Sequence, residues 1–333
     1  MNTKTWYAIL LMGLALVVEN QSSVMSKTVS AKYSWQECLK NHIGLMDYQT
    51  YKILMAQYRC YGKHEMPKIA DSCIKSIPVV EQHEPLVELS NTSDGDLNDK
   101  ITIMDGCEPS IFVNNKYTRI NMMSDQEFIN IYDPKHPSNT INAVKNNPRS
   151  AGCCKMRECV FKVLEKVLDE LDRLAPRFGY QTEELGIKVF EGLRDLETQK
   201  KLFEGAEASV RLQHPEWMQD RIEQEASKSV CPPDKKPPHS TGAAIDFTLF
   251  NVKTGESLDL GDFNHTSDHM DMFSDNVTAE QQNNRLLLMI AATNAGLVNY
   301  SYEYWHWSLN DQWAVYWKQL TGQTDTCACY DSL

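Results

Sequence analysis

Four residues in the final third of the chain have the types and spacing for hydrolytic chemistry: His239, Asp246, Glu303 and His306. The first two share the stretch PPHSTGAAIDFTLF, Pro237 to Phe250, and the last two share EYWHW. Two neutral imidazoles and an ionised carboxylate are what a protein offers a catalytic zinc, with a further coordination position left for water. The expected centre is therefore one Zn2+ per chain, held by His239, Asp246 and His306. Glu303 is the carboxylate best placed to take the water's proton and pass it to a leaving amine. Arg194, in GLRD on the turn after a strand, supplies a cation for the oxyanion of a tetrahedral transition state. The chemistry implied is metal-assisted hydrolysis of a peptide bond.

Distant parts of the chain must bring these groups together. Pro237 and Pro238 force an extended approach to His239, which sits at a Pro- and Gly-flanked turn. Asp246 follows in an apolar, strand-like run. Glu303 and His306 are three apart, so a flat strand would point them to opposite faces. A bulge or turn inside EYWH is therefore required, as occurs beside active sites. Ile187, Val189 and Leu193 alternate with other residues and predict the strand that leads to Arg194. The clearest helix has Val160, Val163, Leu164, Val167, Leu168, Leu171 and Leu174 on one face and should end near Pro176 and Gly179. Residues 196–226 read as mostly helical with a break at Pro215. Thr278 is a cap for a helix starting at Ala279, with Leu286, Leu287, Ile290 and Ala291 buried and Gly296 as its stop. Strand-like Leu297 to Trp307 brings in the last motif.

The remaining sequence bounds the setting. Its 333 residues are 42% hydrophobic and 23% charged, which suits a globular protein with one large domain and a smaller one. A net charge of −12 argues against nucleic acid or an anionic membrane surface as partner. Residues 1–25 read as a signal peptide, with Lys4 before the uncharged run Tyr7 to Val18. That run is shorter than the about 20 residues a bilayer needs. A secreted, extracellular or periplasmic protein without a stable membrane span is the expectation. Ten cysteines, an even number in such a chain, read as disulfides. Residues 27–105 are expected to form a small, disulfide-stapled helical module with an unknown partner, its end marked by a linker-like acidic run from Glu81 to Lys100. Ile111 to Arg149 reads as extended segments and loops, and residues 110–326 as the catalytic domain. Asn91, Asn264, Asn276 and Asn299 open glycosylation sequons, while His265 and His269 read as loop residues.

From about Ile111 onward the chain resembles the D-alanyl-D-alanine dipeptidases, within the wider group of zinc D,D-peptidases. The resemblance rests on FEGLRDLETQ around Arg194, PPHSTGAAIDFTLF, TGESLDLG from Thr254 to Gly261, and YEYWHW. It implies an α+β fold, an antiparallel sheet flanked by helices as in hedgehog signalling domains. It also implies that His239, Asp246 and His306 bind zinc, that Glu303 is the general base and that Arg194 stabilises the transition state. The implied substrate is D-Ala-D-Ala or a related short peptide from bacterial wall, carrying D-amino acids. Ser240, Asp262 and Asn264 are candidate substrate-binding residues. Two departures stand out: Asn264 occupies the place of an Asp that reads the substrate's free amine, and Pro237 replaces a Ser that helps hold the substrate carboxylate. A D,D-carboxypeptidase acting on longer stem peptides, or a non-catalytic secreted binding protein on the same scaffold, are the competing readings.

Overall fold

A computed structural model describes residues 33–62, 77–80, 82–90, 101–103, 118–123, 153–227, 230–261, 268–324 and 327–333. The signal segment, most of 111–149, Cys73, Cys107, Asp262 and Asn264 lie outside the described residues. Helices and strands are numbered below in chain order.

Strand β6 (Ala244–Asn251) is the middle of the sheet that carries the site, and nearly every residue in it is buried. It pairs antiparallel with β5 (Leu185–Glu191) on one side and β8 (Glu303–Ser308) on the other. The edges are β3 (Ile120–Met122) and β7 (Val298–Tyr300), giving the order β3-β5-β6-β8-β7. The β3–β5 pair is parallel and the others are antiparallel, so the sheet is mixed where an antiparallel one was expected. The α+β class itself stands.

A second antiparallel sheet, in the order β2-β1-β4, is built from β1 (Leu86–Ser90), β2 (Ile101–Ile103) and β4 (Cys153–Arg157). Its central strand lies inside the acidic run read above as linker, and that reading is corrected for Leu86–Ser90. Val87 and Leu89 are buried while Glu88 between them is not, the period-two pattern of a strand with one face inward.

The helices cover these sheets. Helix α1 (Trp35–Asn41) starts at a capping box between Ser34 and Glu37. Helix α2 (Tyr48–Gly62) follows, and Trp35, Leu39, Leu54 and Met55 of the two helices enter one core with the sheets and later helices. Helix α3 (Glu158–Leu174) buries the apolar stripe read from its sequence. Helices α4 (Leu196–Gln213) and α5 (Gln219–Ala226) are separated near Pro215, as expected. Thr278 caps α6 (Ala279–Asn294) through a capping box with Gln281, and Gly296 follows at φ +106°, open to glycine without strain. Helix α7 (Gln312–Leu320) ends the regular structure. Among the described residues, no helix is long and apolar enough to cross a membrane.

The structure gives no support to the disulfide staple expected for the N-terminal helices: no disulfide joins two described cysteines, while Cys73 and Cys107 lie outside the described residues. Burial in the shared core does that work, since Trp35, Leu39 and Leu54 are each at most 1% exposed. Cys38 lies in this core, and burial pushes its thiol up to about 11. Cys159 Sγ lies 3.0 Å from the Tyr330 hydroxyl.

The two sheets meet at Gly192, just past β5. A Cβ there would lie 2.3 Å from the Lys155 carbonyl and 2.6 Å from Cys154 Sγ, and Leu193 N donates to that same carbonyl at 2.6 Å. Gly192→Ala should destabilise the protein by about 1–3 kcal/mol through overpacking, read by urea unfolding. A variant as stable as the parent would show that the sheets do not press together there.

Candidate metal centre

Asp246 and His306 are direct cross-strand partners on β6 and β8, so their side chains emerge side by side from one face. His239 reaches the same point from a short 3-10 turn, Pro238–Thr241, that ends at Gly242 with φ +71°. The turn is tied back to the fold: Arg157 N donates to Gly242 O at 2.9 Å and Arg157 Nε to Thr241 O at 2.9 Å.

The three functional groups converge in the interior. His239 Nε2 lies 3.0 Å from His306 Nδ1, while Asp246 Oδ1 lies 3.2 Å from the first nitrogen and 3.0 Å from the second. The side chains are 7%, 3% and 8% exposed for His239, Asp246 and His306. His239 Nδ1 contacts Gly192 O at 2.8 Å, and a carbonyl can only accept. That nitrogen therefore carries the hydrogen, and Nε2 turns a lone pair toward the convergence point.

These residues fit a divalent metal ion. Asp246 Oδ1 is buried and accepts no well-directed hydrogen bond, although two nitrogens stand within 3.2 Å of it. Zinc bonds of about 2.0–2.2 Å at tetrahedral angles place ligand atoms roughly 3.3 Å apart, close to the spacings seen. Burial alone would push the Asp246 carboxyl up, but the charge and hydrogen bond of a protonated imidazole facing it, His239 first and His306 after it, outweigh burial and hold it below the usual carboxylate range. His239, Asp246 and His306 are the one metal-holding group found among the described residues.

Of the other sequence-predicted residues, Glu303 borders this point and Arg194 is joined to it through the His239 backbone. Glu303 Oε2 stands 3.9 Å from His306 Nδ1, and its side chain is 13% exposed. The bulge demanded by EYWH is present: β7 and β8 lose register between Asn299 and Tyr300. Arg194 N donates to His239 O at 3.2 Å, and its guanidinium is bound bidentately by Glu191 at 2.7 and 2.5 Å and by Gln199 Oε1 at 2.7 Å. Ser240 is fully buried in the turn beside His239. His269 lies in the 3-10 turn Asp268–Met270.

Sequence reasoning missed Glu191, which stands opposite Asp246 in the β5–β6 register and lies three residues before Arg194. That spacing was a visible signal. It also missed the Gly192 carbonyl, which leaves no trace in residue type. The fold closes the sequon at Asn299, which is 1% exposed with its side-chain nitrogen hydrogen-bonded. Asn276 is exposed, whereas Asn91 and Asn264 lie outside the described residues.

Fold and site thus define an α+β protein with a buried group of two histidines and one aspartate on its central sheet that could hold a metal ion. Residues 209–324, which carry all three ligands and Glu303, match the family described as D-ala-D-ala dipeptidase. The chain is 33% identical over 78 residues to a D-alanyl-D-alanine dipeptidase of Enterococcus faecium, 23% of this chain and 39% of that protein. It is 39% identical over 72 residues to the D-alanyl-D-alanine dipeptidase of Escherichia coli, 21% of this chain and 37% of the relative. The chain spans under two fifths of the length of these relatives. The resemblance read from the motifs therefore holds for this segment, while Glu191 and Arg194 lie before it.

Metal-free protein should gain stability when zinc is added. Free zinc at about 1,000 times the dissociation constant is worth about 4 kcal/mol to a protein that binds it only when folded. The gain, read by calorimetry, should vanish in His239→Ala. An unfolding transition indifferent to zinc would remove the metal centre.

Proposed function

We propose that this chain is a secreted zinc metallopeptidase that hydrolyses D-Ala-D-Ala or a related short peptidoglycan-derived peptide. The observation that carries the reading is the meeting of His239, Asp246 and His306 within 3.2 Å of one another, with Glu303 3.9 Å from His306. The family match of residues 209–324 supports a peptidase. The charged start and apolar run from Tyr7 to Val18 support export.

Each side chain has a duty that follows from its surroundings. Asp246, held ionised, and the two imidazoles would hold the zinc, with His239 fixed as the Nδ1–H tautomer by Gly192 O. When bound, the zinc supplies Lewis acidity to a scissile carbonyl and activation of a water nucleophile at neutral pH. Glu303, on the rim of the buried cluster, takes the proton of that water and returns it to the departing amine. Arg194 faces charge developing on the carbonyl oxygen, and the Glu191 carboxylate holds its guanidinium in one orientation. One observation favours a variant of this reading. Asn264 stands where the resemblance places an amine-binding Asp, which suits longer stem peptides with no free amine at that point.

The test is zinc content together with D-Ala release from D-Ala-D-Ala and from stem tri- to pentapeptides. Glu303→Gln should keep stoichiometric zinc and lose about 10²–10⁴-fold in kcat. Arg194→Ala should lose about 10²–10³-fold in kcat, in line with removal of one oxyanion donor. A zinc-loaded parent that releases nothing from the whole panel would sink the peptidase reading and leave a binding protein. An active Glu303→Gln protein would sink the assignment of the base.

A further inference from the structure

Glu303 and His306 can serve one site only because β8 departs from a regular ladder. Asn299 of β7 stands opposite Trp307, and the next residue, Tyr300, stands opposite Glu303. One step on β7 thus spans four on β8, so the ladder skips Tyr304, Trp305 and His306. On its other side β8 keeps register with β6, where His306 faces Asp246. The surplus backbone must find donors elsewhere, because buried carbonyls need partners.

The Asn299 side chain serves the two ends of this stretch. Its Nδ2 donates to Glu303 O at 3.0 Å and to His306 O at 2.9 Å, with Tyr304 O farther off at 3.5 Å. A carboxamide has two hydrogens, and both are spent on the residues at the two ends of the bulge. Asn299 is itself fixed from behind. Its backbone oxygen accepts from Gln57 Nε2 of α2 at 2.7 Å and from Trp313 Nε1 of α7 at 3.0 Å. Gln57 is fully buried and lies outside the segment that matches the dipeptidase family.

We propose that Asn299 is a positioning residue for the catalytic strand and that Gln57 makes the N-terminal helix α2 part of the catalytic apparatus. The Asn299 carboxamide holds the bulge that turns Glu303 and His306 toward one point, and Gln57 sets the position of Asn299. This rests on the roles given to Glu303 and His306 above. It also gives the helices ahead of the matching segment a role: one of their buried polar groups holds the β7 residue that braces the strand bearing the base.

The test compares three variants of the full chain. Asn299→Asp keeps the shape and cannot donate to the two carbonyls. It should lower kcat about 10²-fold, the scale of a misplacement near 1 Å, with KM within threefold, and weaken zinc in competition with a chelator. Gln57→Met keeps the volume and removes the donor from behind. It should lower kcat about tenfold, with weaker zinc binding. Gln49→Met, on the same helix, breaks the Gln49–Thr321 hydrogen bond of 2.6 Å and should cost stability with kcat and zinc affinity unchanged. If Asn299→Asp is recovered only unfolded, Gln57→Met decides. Folded Asn299→Asp or Gln57→Met protein with parental kcat and zinc affinity overturns the proposal. So does a kcat loss in Gln49→Met equal to that in Gln57→Met. A parent that binds zinc but cleaves nothing defeats the peptidase reading alone, and the zinc competition then decides: weaker binding in Gln57→Met supports the positioning role and equal binding overturns it. A parent that binds no zinc overturns both.

Discussion

The structure is organised around three polar groups, two imidazoles and a carboxylate, brought to one buried point. Asp246 Oδ1, His239 Nε2 and His306 Nδ1 stand 3.0–3.2 Å apart in a nearly water-free interior. A carboxylate there has lost its hydration, and a lone pair on either nitrogen repels it. One shared proton can relieve the contact between the imidazoles, but it leaves the carboxylate oxygen without a directed donor. A divalent ion at the centre satisfies all three at once. The surrounding fold can be understood as the set of restraints that prevents these side chains from swinging apart. Asp246 and His306 are locked by the β6–β8 register, and His239 by the turn that Arg157 grips.

The same sheet explains why Arg194 is where it is. Glu191, Asp246 and His306 occupy one row across β5, β6 and β8. Two carboxylates in adjacent positions would repel one another, and each must be compensated from a different side. The histidines compensate Asp246, and Arg194 compensates Glu191 with a bidentate pair whose side chains are 10% and 6% exposed. Arg194 therefore carries a structural duty along with any chemical one. Breaking a pair this deep leaves an uncompensated charge and costs about 3–5 kcal/mol. Loss of yield in an Arg194 variant thus reports on the pair, and only turnover per folded molecule reports on catalysis.

Much of this was legible from residue types. The α3 stripe, the Thr278 cap, the Gly296 stop and the break near Pro215 each have a local cause, and each was read correctly. That His239, Asp246 and His306 should converge was legible because few roles suit a histidine and an aspartate in an apolar strand setting. The need for a bulge followed from strand geometry alone. What stayed hidden depends on backbone atoms or on distant partners. Asn299 looks like a surface sequon because Asn-x-Ser is a short pattern, and its real partners are carbonyls that no sequence displays. Strand β1 was concealed by its acidic neighbours, since two buried residues, Val87 and Leu89, are too few to outweigh them. Counting cysteines says nothing of where each one goes, and Cys38 went into the core as a small apolar side chain.

Segments outside the family match also converge on the metal-binding turn, which bears on what the minimal working unit is. Leu333 N donates to Ser240 O at 2.8 Å, next to His239. The same C-terminal stretch is joined to residues before β1, since Ala328 N donates to Pro78 O and Val80 N to Ala328 O, both at 2.8 Å. Arg157 spans the gap between them, donating to Glu84 O and to Thr241 O at 2.9 Å each, with its guanidinium 4.9 Å from the centre of the Tyr330 ring. The His239 turn is thus braced by β4, by the chain before β1 and by the C-terminal stretch, while β8 is braced from α2 through Gln57. A three-residue strand such as β7 has too few ladder bonds to hold a four-to-one mismatch by itself. The restraint must come from side chains packed behind it, and those belong to α2 and α7. The segment that resembles the dipeptidases supplies His239, Asp246, Glu303 and His306, and the chain outside it adds Arg194 and, through Gln57, Arg157 and Leu333, part of the bracing that keeps those groups together.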